Sequence, residues 1–269
     1  MKLLFLGDVY GEPGRDVIAR YLPDLKKSQS IDFVVINGEN TTHGSGITPE
    51  HANAFFYLGV DCITTGNHAW GKREIIPFME KDKRVLRPAN FPKGTPGTGA
   101  QEYVMADGRK ILVVNIMGRL FMDPLDCPFQ VMDTILKPYN LGKNVHAIFV
   151  DIHTETTSEK TAMGNYLDGR ISGIVGTHTH VPTADHRILP HGTAYQTDGG
   201  MCGNFDSIIG TNKEHAIQRF TKKLVLERKH PAQGEATMCG CIISIDDHTG
   251  LANGIKPIRM GGVLEQSLA

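Results

Sequence analysis

Five short apolar runs in this chain stop at side chains that can hold a cation or a proton. Residues 2–7 lead into Asp8, and residues 32–37 into Gly38-Glu39-Asn40. Residues 61–65 lead into Gly66-Asn67-His68, and residues 146–151, ending at Asp151, into Ile152-His153. Residues 171–176, ending at Gly176, lead into Thr177-His178-Thr179-His180. Short apolar runs bounded by turn residues read as buried strands. In open α/β sheets ligands bind beyond the carboxyl ends of the strands. Five strands that all end in polar side chains therefore converge on one place.

Each run alone has an ordinary reading: Asp8 as a loop cap, Asn67-His68 as a turn, His153 as a satisfied strand-end histidine. The pair His178-x-His180 is harder to account for that way. On an extended chain, residues two apart face the same side, and two adjacent imidazoles are usually held together by a metal. Together the strand ends supply Asp8, Glu39, Asn40, Asn67, His153, His178 and His180. That is enough for a two-metal site with a bridging carboxylate. With no cysteine among them, the set suits iron, manganese or zinc.

The rest of the chain supports an α/β frame. Residues 14–27 carry Val17, Ile18, Tyr21, Leu22 and Leu25 at helical spacing, and Thr48-Pro49-Glu50 opens a second helix with Thr at the N-cap and Pro at the first position. Segments 101–106 and 110–116 form a hairpin around Asp107-Gly108, and 235–246 and 251–260 another around Asp247–Gly250. Parallel βαβ units early and antiparallel hairpins late suggest two packed sheets with helices outside. With no linker in view, residues 1–269 read as one domain. The loops 88–100 and 117–128 are long enough to wall a site.

The spacing of the strand-end motifs resembles the calcineurin-like metallophosphoesterase superfamily, with departures. Tyr10 stands where that superfamily has a metal-binding histidine, Glu39 replaces a bridging aspartate, Ala69 replaces an acid, and Thr177 is inserted before His178. Those departures resemble the YmdB-like branch, bacterial cyclic-nucleotide phosphodiesterases, through Gly7-Asp8-Val9-Tyr10-Gly11, Asn37-Gly38-Glu39-Asn40, Thr65-Gly66-Asn67-His68, Thr157-Ser158-Glu159-Lys160 after His153, and Gly176 to Asp185. The similarity runs from residue 1 to about 260.

The resemblance implies a four-layer α/β/β/α sandwich of two mixed sheets, an α+β fold. It implies two metal ions, iron or manganese ahead of zinc. Glu39 would bridge them; Asp8, Asn40 and His180 would complete one, and Asn67, His153 and His178 the other. A hydroxide shared by the ions would attack the phosphorus of a small cyclic nucleotide, 2′,3′ or 3′,5′. His68 would protonate the leaving oxygen or stabilise the charge that builds there, with support of the neighbouring ligands as its other reading; His43, in the loop after Asn40, would touch the substrate or stand as a solvated loop histidine. His51, His146, His186, His191, His215, His230 and His248 share no pattern and read as surface or structural residues.

Bulk properties narrow the partners. Net charge is −1 with no basic block, which argues against a long nucleic acid and leaves a small phosphodiester. No stretch approaches the roughly 20 apolar residues of a membrane span; the apolar start is too short for a signal peptide, so a cytoplasmic protein is expected. Five cysteines without a CxxC pair argue against a disulfide framework; Cys239 and Cys241 read as small core residues. Homo-oligomerisation is left open. Two other functions compete. An amidohydrolase also uses H-x-H, but near its N-terminus, whereas here the motif comes last. A non-catalytic regulator that senses nucleotides would keep the metal site without turnover.

Overall fold

The computed structural model describes residues 1–223 and 230–267. The first half contains β1 (Lys2–Leu6), β2 (Asp8–Val9), α1 (Gly11–Ser28), β3 (Phe33–Asn37), α2 (Pro49–Tyr57), β4 (Cys62–Thr64), α3 (Ile75–Lys81), β5 (Val85–Leu86) and β6 (Ala100–Val104). The second contains β7 (Lys110–Met117), α4 (Pro128–Leu136), β8 (Ala147–His153), α5 (Thr157–Leu167), β9 (Gly173–Thr177), β10 (Arg187–Ile188), β11 (Ala194–Gln196), β12 (Met201–Cys202), α6 (Lys213–Lys222), β13 (Met238–Ile245) and β14 (Ala252–Met260).

One sheet has the order β14-β13-β1-β3-β4-β5 and the other β10-β11-β9-β8-β7-β6, with β2 and β12 forming a small third pair. In the first sheet β1, β3, β4 and β5 are parallel, and β13 and β14 join antiparallel. In the second, β7, β8, β9 and β11 are parallel, with β6 and β10 antiparallel at the edges. Both sheets are mixed, as the resemblance implies.

Strand alternation builds the layers. Leu3 and Phe5 face inward with Phe33, Val35, Val113, Phe149 and Val175 to fill the space between the sheets. Leu4 and Leu6 face outward with Val34 and Ile36, against Val17, Ile18 and Leu22 of α1 and Phe55 of α2. On the far side Val114 and Val150 pack on Met132 of α4 and Met163 and Leu167 of α5. The result is a helix–sheet–sheet–helix sandwich. Thr48 caps α2 as expected, its side chain accepting from the His51 amide. Cys62, Cys202, Cys239 and Cys241 are buried and free.

Two buried charged contacts hold the rim where the parallel strands end. Lys160 on α5 donates to Asp198 at 2.8 Å, and both side chains are essentially inaccessible. Asp151, at 0% exposure, accepts from Asn37 Nδ2 (2.8 Å) and Thr64 Oγ1 (2.5 Å) of the first sheet and from Thr177 Oγ1 (2.7 Å) of the second. Among the described residues no helix is long and apolar enough to cross a membrane.

Removing one partner of a buried ion pair leaves the other charge uncompensated, at a cost of about 3–5 kcal/mol. Lys160→Met should therefore reduce the unfolding free energy measured in urea by that much, whereas Lys160→Met with Asp198→Leu should recover part of it. With Asp198→Leu alone completing the cycle, a double loss equal to the sum of the two single losses would show that the pair contributes no coupling.

Candidate metal centre and catalytic site

The sequence-predicted residues come together at one rim, and they sort by sheet. Asp8, Glu39, Asn40 and Asn67 follow β1, β3 and β4 of the first sheet; His153, His178 and His180 follow β8 and β9 of the second. Oxygen and amide groups thus come from one sheet and imidazoles from the other.

Two groups of donor atoms meet at Glu39 Oε1. On one side His153 Nε2 stands 3.3 Å from Glu39 Oε1, 3.0 Å from Asn67 Oδ1 and 3.1 Å from His178 Nδ1. One donor atom each from Glu39, His153 and His178 falls within 4.8 Å of the others, a spacing that could hold a metal ion. On the other side His180 Nε2 stands 3.8 Å from Asp8 Oδ1 and 3.2 Å from Asn40 Nδ2, which also donates to Glu39 Oε1 at 3.0 Å. Asn40 turns its oxygen to His68 Nδ1, 2.9 Å away. Rotating that amide by half a turn would exchange its two atoms and bring the oxygen among Asp8, Glu39 and His180.

The second nitrogen of each histidine is anchored, which fixes where the lone pair points. His153 Nδ1 meets Thr177 Oγ1 at 2.9 Å, and that hydroxyl donates onward to Asp151. His178 Nε2 lies 3.1 Å from Glu155, and His180 Nδ1 donates to the Ile209 carbonyl at 2.9 Å. His153 Nε2, His178 Nδ1 and His180 Nε2 are left free to coordinate. Burial, aided by the neighbouring His153, lowers His178 to about 3, so its ring is neutral as ligation requires. The orphaned atom on the other side makes the same point: Asp8 Oδ1 is buried without a hydrogen-bond partner, and an unsatisfied buried carboxylate oxygen is costly unless something positive meets it. These donors fit metal ions.

The His178-x-His180 geometry differs from the extended pattern expected. The strand stops at Thr177, and His178 (φ 94°) and His180 (φ 66°) both lie in the left-handed region. Such a conformation is strained for non-glycine residues. The two rings meet different partners, His178 turning to His153 and Glu155 and His180 to Asn40 and the Ile209 carbonyl. Asp198 holds the strained loop by accepting from the Thr179 amide (3.2 Å) and hydroxyl (2.6 Å), while Lys160 binds the same oxygen.

A cavity of about 900 Å³ opens over the cluster, lined by Glu39, Asn40, His68, His178 and His180 and walled by His43, Lys72, Ile209, Thr211 and His230 among others. His68 reaches it with its side chain 44% exposed, and its backbone amide donates to Glu39 Oε2 at 3.1 Å. His43 is on the wall, in keeping with its place in the loop after Asn40. Two expectations change, and a third, that Tyr10 is not among the ligands, fits the contacts. Loops 88–100 and 117–128 do not line this cavity; residues 43–45, Ile209 and Thr211 do. His230, expected at the surface or in a structural role, lies on the wall. Tyr10 is no ligand: its hydroxyl pairs with Thr211 Oγ1 at 2.9 Å and its ring meets His180 edge-on.

Residues 4–258 match the model of the YmdB-like protein family. The chain belongs to the YmdB-like family. It is 48% identical over 258 residues to the 2′,3′-cyclic-nucleotide 2′-phosphodiesterase of Bacillus subtilis, covering 96% of each chain. Two crystal structures superpose with a TM-score of 0.90: a hypothetical protein of Thermus thermophilus, at 40% identity with 98% of this chain and 100% of that one covered, and a phosphatase from Mycoplasma pneumoniae, at 36% identity with 97% and 93% covered. The likeness to these structures makes the sandwich a metallophosphoesterase fold.

Protons and a metal ion would compete for the same atoms here. Burial pushes the Asp8 carboxyl up to about 7 against the pull of His180 and His153. For His153, burial acts downward but Glu39 and Asp8 outweigh it and raise the ring to about 9. Both groups hold more proton as pH falls, so metal affinity should fall from about pH 9 to about pH 6, most steeply below about 7. Titration calorimetry of Mn²⁺ in buffers of different ionisation enthalpy should show net proton release at neutral pH. Metal uptake without it would contradict these assignments.

Proposed function

We propose that the chain is a metal-dependent phosphodiesterase acting on small cyclic nucleotides, 2′,3′ or 3′,5′. Two ions, iron or manganese ahead of zinc, are held by Asp8, Glu39, Asn40, Asn67, His153, His178 and His180. The observation that carries this reading is Glu39 with a donor group on each side, Asn67, His153 and His178 on one and Asp8, Asn40 and His180 on the other. Imidazole nitrogens mixed with carboxylate and amide oxygens suit first-row ions of borderline softness. Such ions supply Lewis acidity toward phosphate oxygens and hydroxide at neutral pH.

The chain's own side chains supply the rest. His68 borders the same cavity as Glu39, and its backbone amide donates to Glu39 Oε2. As an imidazolium it donates a proton to the departing alkoxide, a contribution of about 10²–10⁴-fold. Glu155 and Thr177 hold the rings of His178 and His153 by their second nitrogens. A cavity of about 900 Å³ is within the size range of small-molecule sites and has room for a mononucleotide. The name of the Bacillus subtilis relative supports 2′,3′-cyclic substrates, and the absence of a basic block fits a small substrate better than a polynucleotide.

The test is turnover of 2′,3′-cyclic and 3′,5′-cyclic AMP by protein reloaded with Mn²⁺ or Fe²⁺ after chelation. His68→Ala should lower kcat by about 10²–10⁴-fold while elemental analysis shows the same metal content. Asp8→Asn and Glu39→Gln should lose metal and activity together. Activity that survives both chelation and His68→Ala would overturn the proposal.

A further inference from the structure

Two tight turns on the cavity wall share an unusual construction. In Ile208–Thr211 the end residues exchange both backbone hydrogen bonds, at 2.9 and 3.0 Å, and the central pair Ile209 (φ 46°) and Gly210 (φ 93°) both have positive φ. In Thr42–Ser45 the Ser45 amide donates to the Thr42 carbonyl, and the central pair His43 (φ 56°) and Gly44 (φ 80°) again both have positive φ. Turns with two positive-φ centres favour Asn-Gly or Asp-Gly, because few other side chains tolerate the first position. A β-branched residue there is a steric outlier. Ile209 also gains little from burial, since it is 55% exposed.

Both turns rest on Tyr10. A Cβ on Gly210 would strike its ring and one on Gly44 its hydroxyl end, so each glycine is required by contact as well as by φ. The Tyr10 hydroxyl pairs with Thr211 Oγ1, and Ile209 gives its carbonyl to His180. One buried ring thus sets both turns beside the ligand cluster, and the residue each turn places at its strained position, His43 or Ile209, lines the cavity. An apolar branched side chain kept exposed and strained over a charged site has no use in holding phosphate. It suits the face of a flat heteroaromatic group, and so does an imidazole.

We infer that Ile209 and His43 determine specificity by gripping the base of a nucleotide whose phosphate lies over the Glu39 cluster, with Tyr10 as the positioning residue that sets them. This rests on the phosphodiesterase reading for the identity of the ligand, and it adds that recognition extends beyond the phosphate. Ile209→Asn and His43→Asn both replace the strained residue with one the turn prefers, so neither should impair folding.

The experiment compares binding of adenosine 3′-monophosphate with that of inorganic phosphate to the metal-loaded protein, for the wild type and each variant. Thermal unfolding and hydrolysis of a chromogenic phosphodiester are measured alongside. The wild type should favour the nucleotide. Ile209→Asn should cut that preference about tenfold, the scale of a lost apolar contact, while its melting temperature rises or holds. His43→Asn should cut it in the same direction. A wild type with no preference, or variants in which both ligands shift alike, would overturn the inference. A wild type that binds nucleotide with the expected preference but turns over no phosphodiester would defeat the enzyme reading and leave the grip supported.

Discussion

The arrangement depends on one buried carboxylate. Asp151 sits where the two sheets meet, and it accepts hydrogen bonds from Asn37 and Thr64 of one and Thr177 of the other. Burial raises its pKa, yet three donors converge on it, so its oxygens are satisfied without water. The link fixes the relative height of the two parallel-strand rims. It also reaches the site directly, because the Thr177 hydroxyl that donates to Asp151 is the group at His153 Nδ1. The register of the sheets and the direction of the His153 lone pair are therefore set by the same hydrogen-bonded chain.

Around that link the site is built as a seam. Oxygen and amide donors approach from one sheet and imidazoles from the other, with Glu39 between them. The strain this demands is concentrated at His178 and His180, where the chain leaves β9 through two left-handed residues. The loop keeps that shape because Asp198 and Lys160, a buried pair, hold Thr179 from behind. A local conformational cost at these histidines is offset by a charged contact that has no ligand role of its own.

Much of this is legible in the sequence because strand ends advertise themselves: an apolar run that stops at Glu39-Asn40 or Asn67-His68 needs a partner for those polar groups close by. The two-sheet sandwich follows from the change between parallel units and hairpins, and the Thr48-Pro49 start of α2 from local capping chemistry. What is not legible depends on contacts between distant segments. Asp151, Thr177 and Lys160 look like strand or helix residues until their partners at 37, 64 and 198 are placed beside them. The His178-x-His180 pair reads as extended, and only the left-handed φ values show the rings diverging. The wall of the cavity is hidden in the same way. Length draws attention to 88–100 and 117–128, whereas two four-residue turns that both lean on Tyr10 form part of the wall.

The division of donors between the sheets is also a division along the chain: every oxygen or amide donor of the cluster precedes residue 68, and every imidazole follows residue 152. During synthesis the first set leaves the ribosome well before the second. A nascent chain that has not reached residue 153 therefore carries only the oxygen and amide members of this donor set, the chemistry that suits magnesium or calcium. In the proposed site, preference for a first-row transition ion would arise only when β8 and β9 have emerged and docked. Metal choice would then be a property of the assembled seam, reached late, and a fragment that ends before His180 would lack the full donor set.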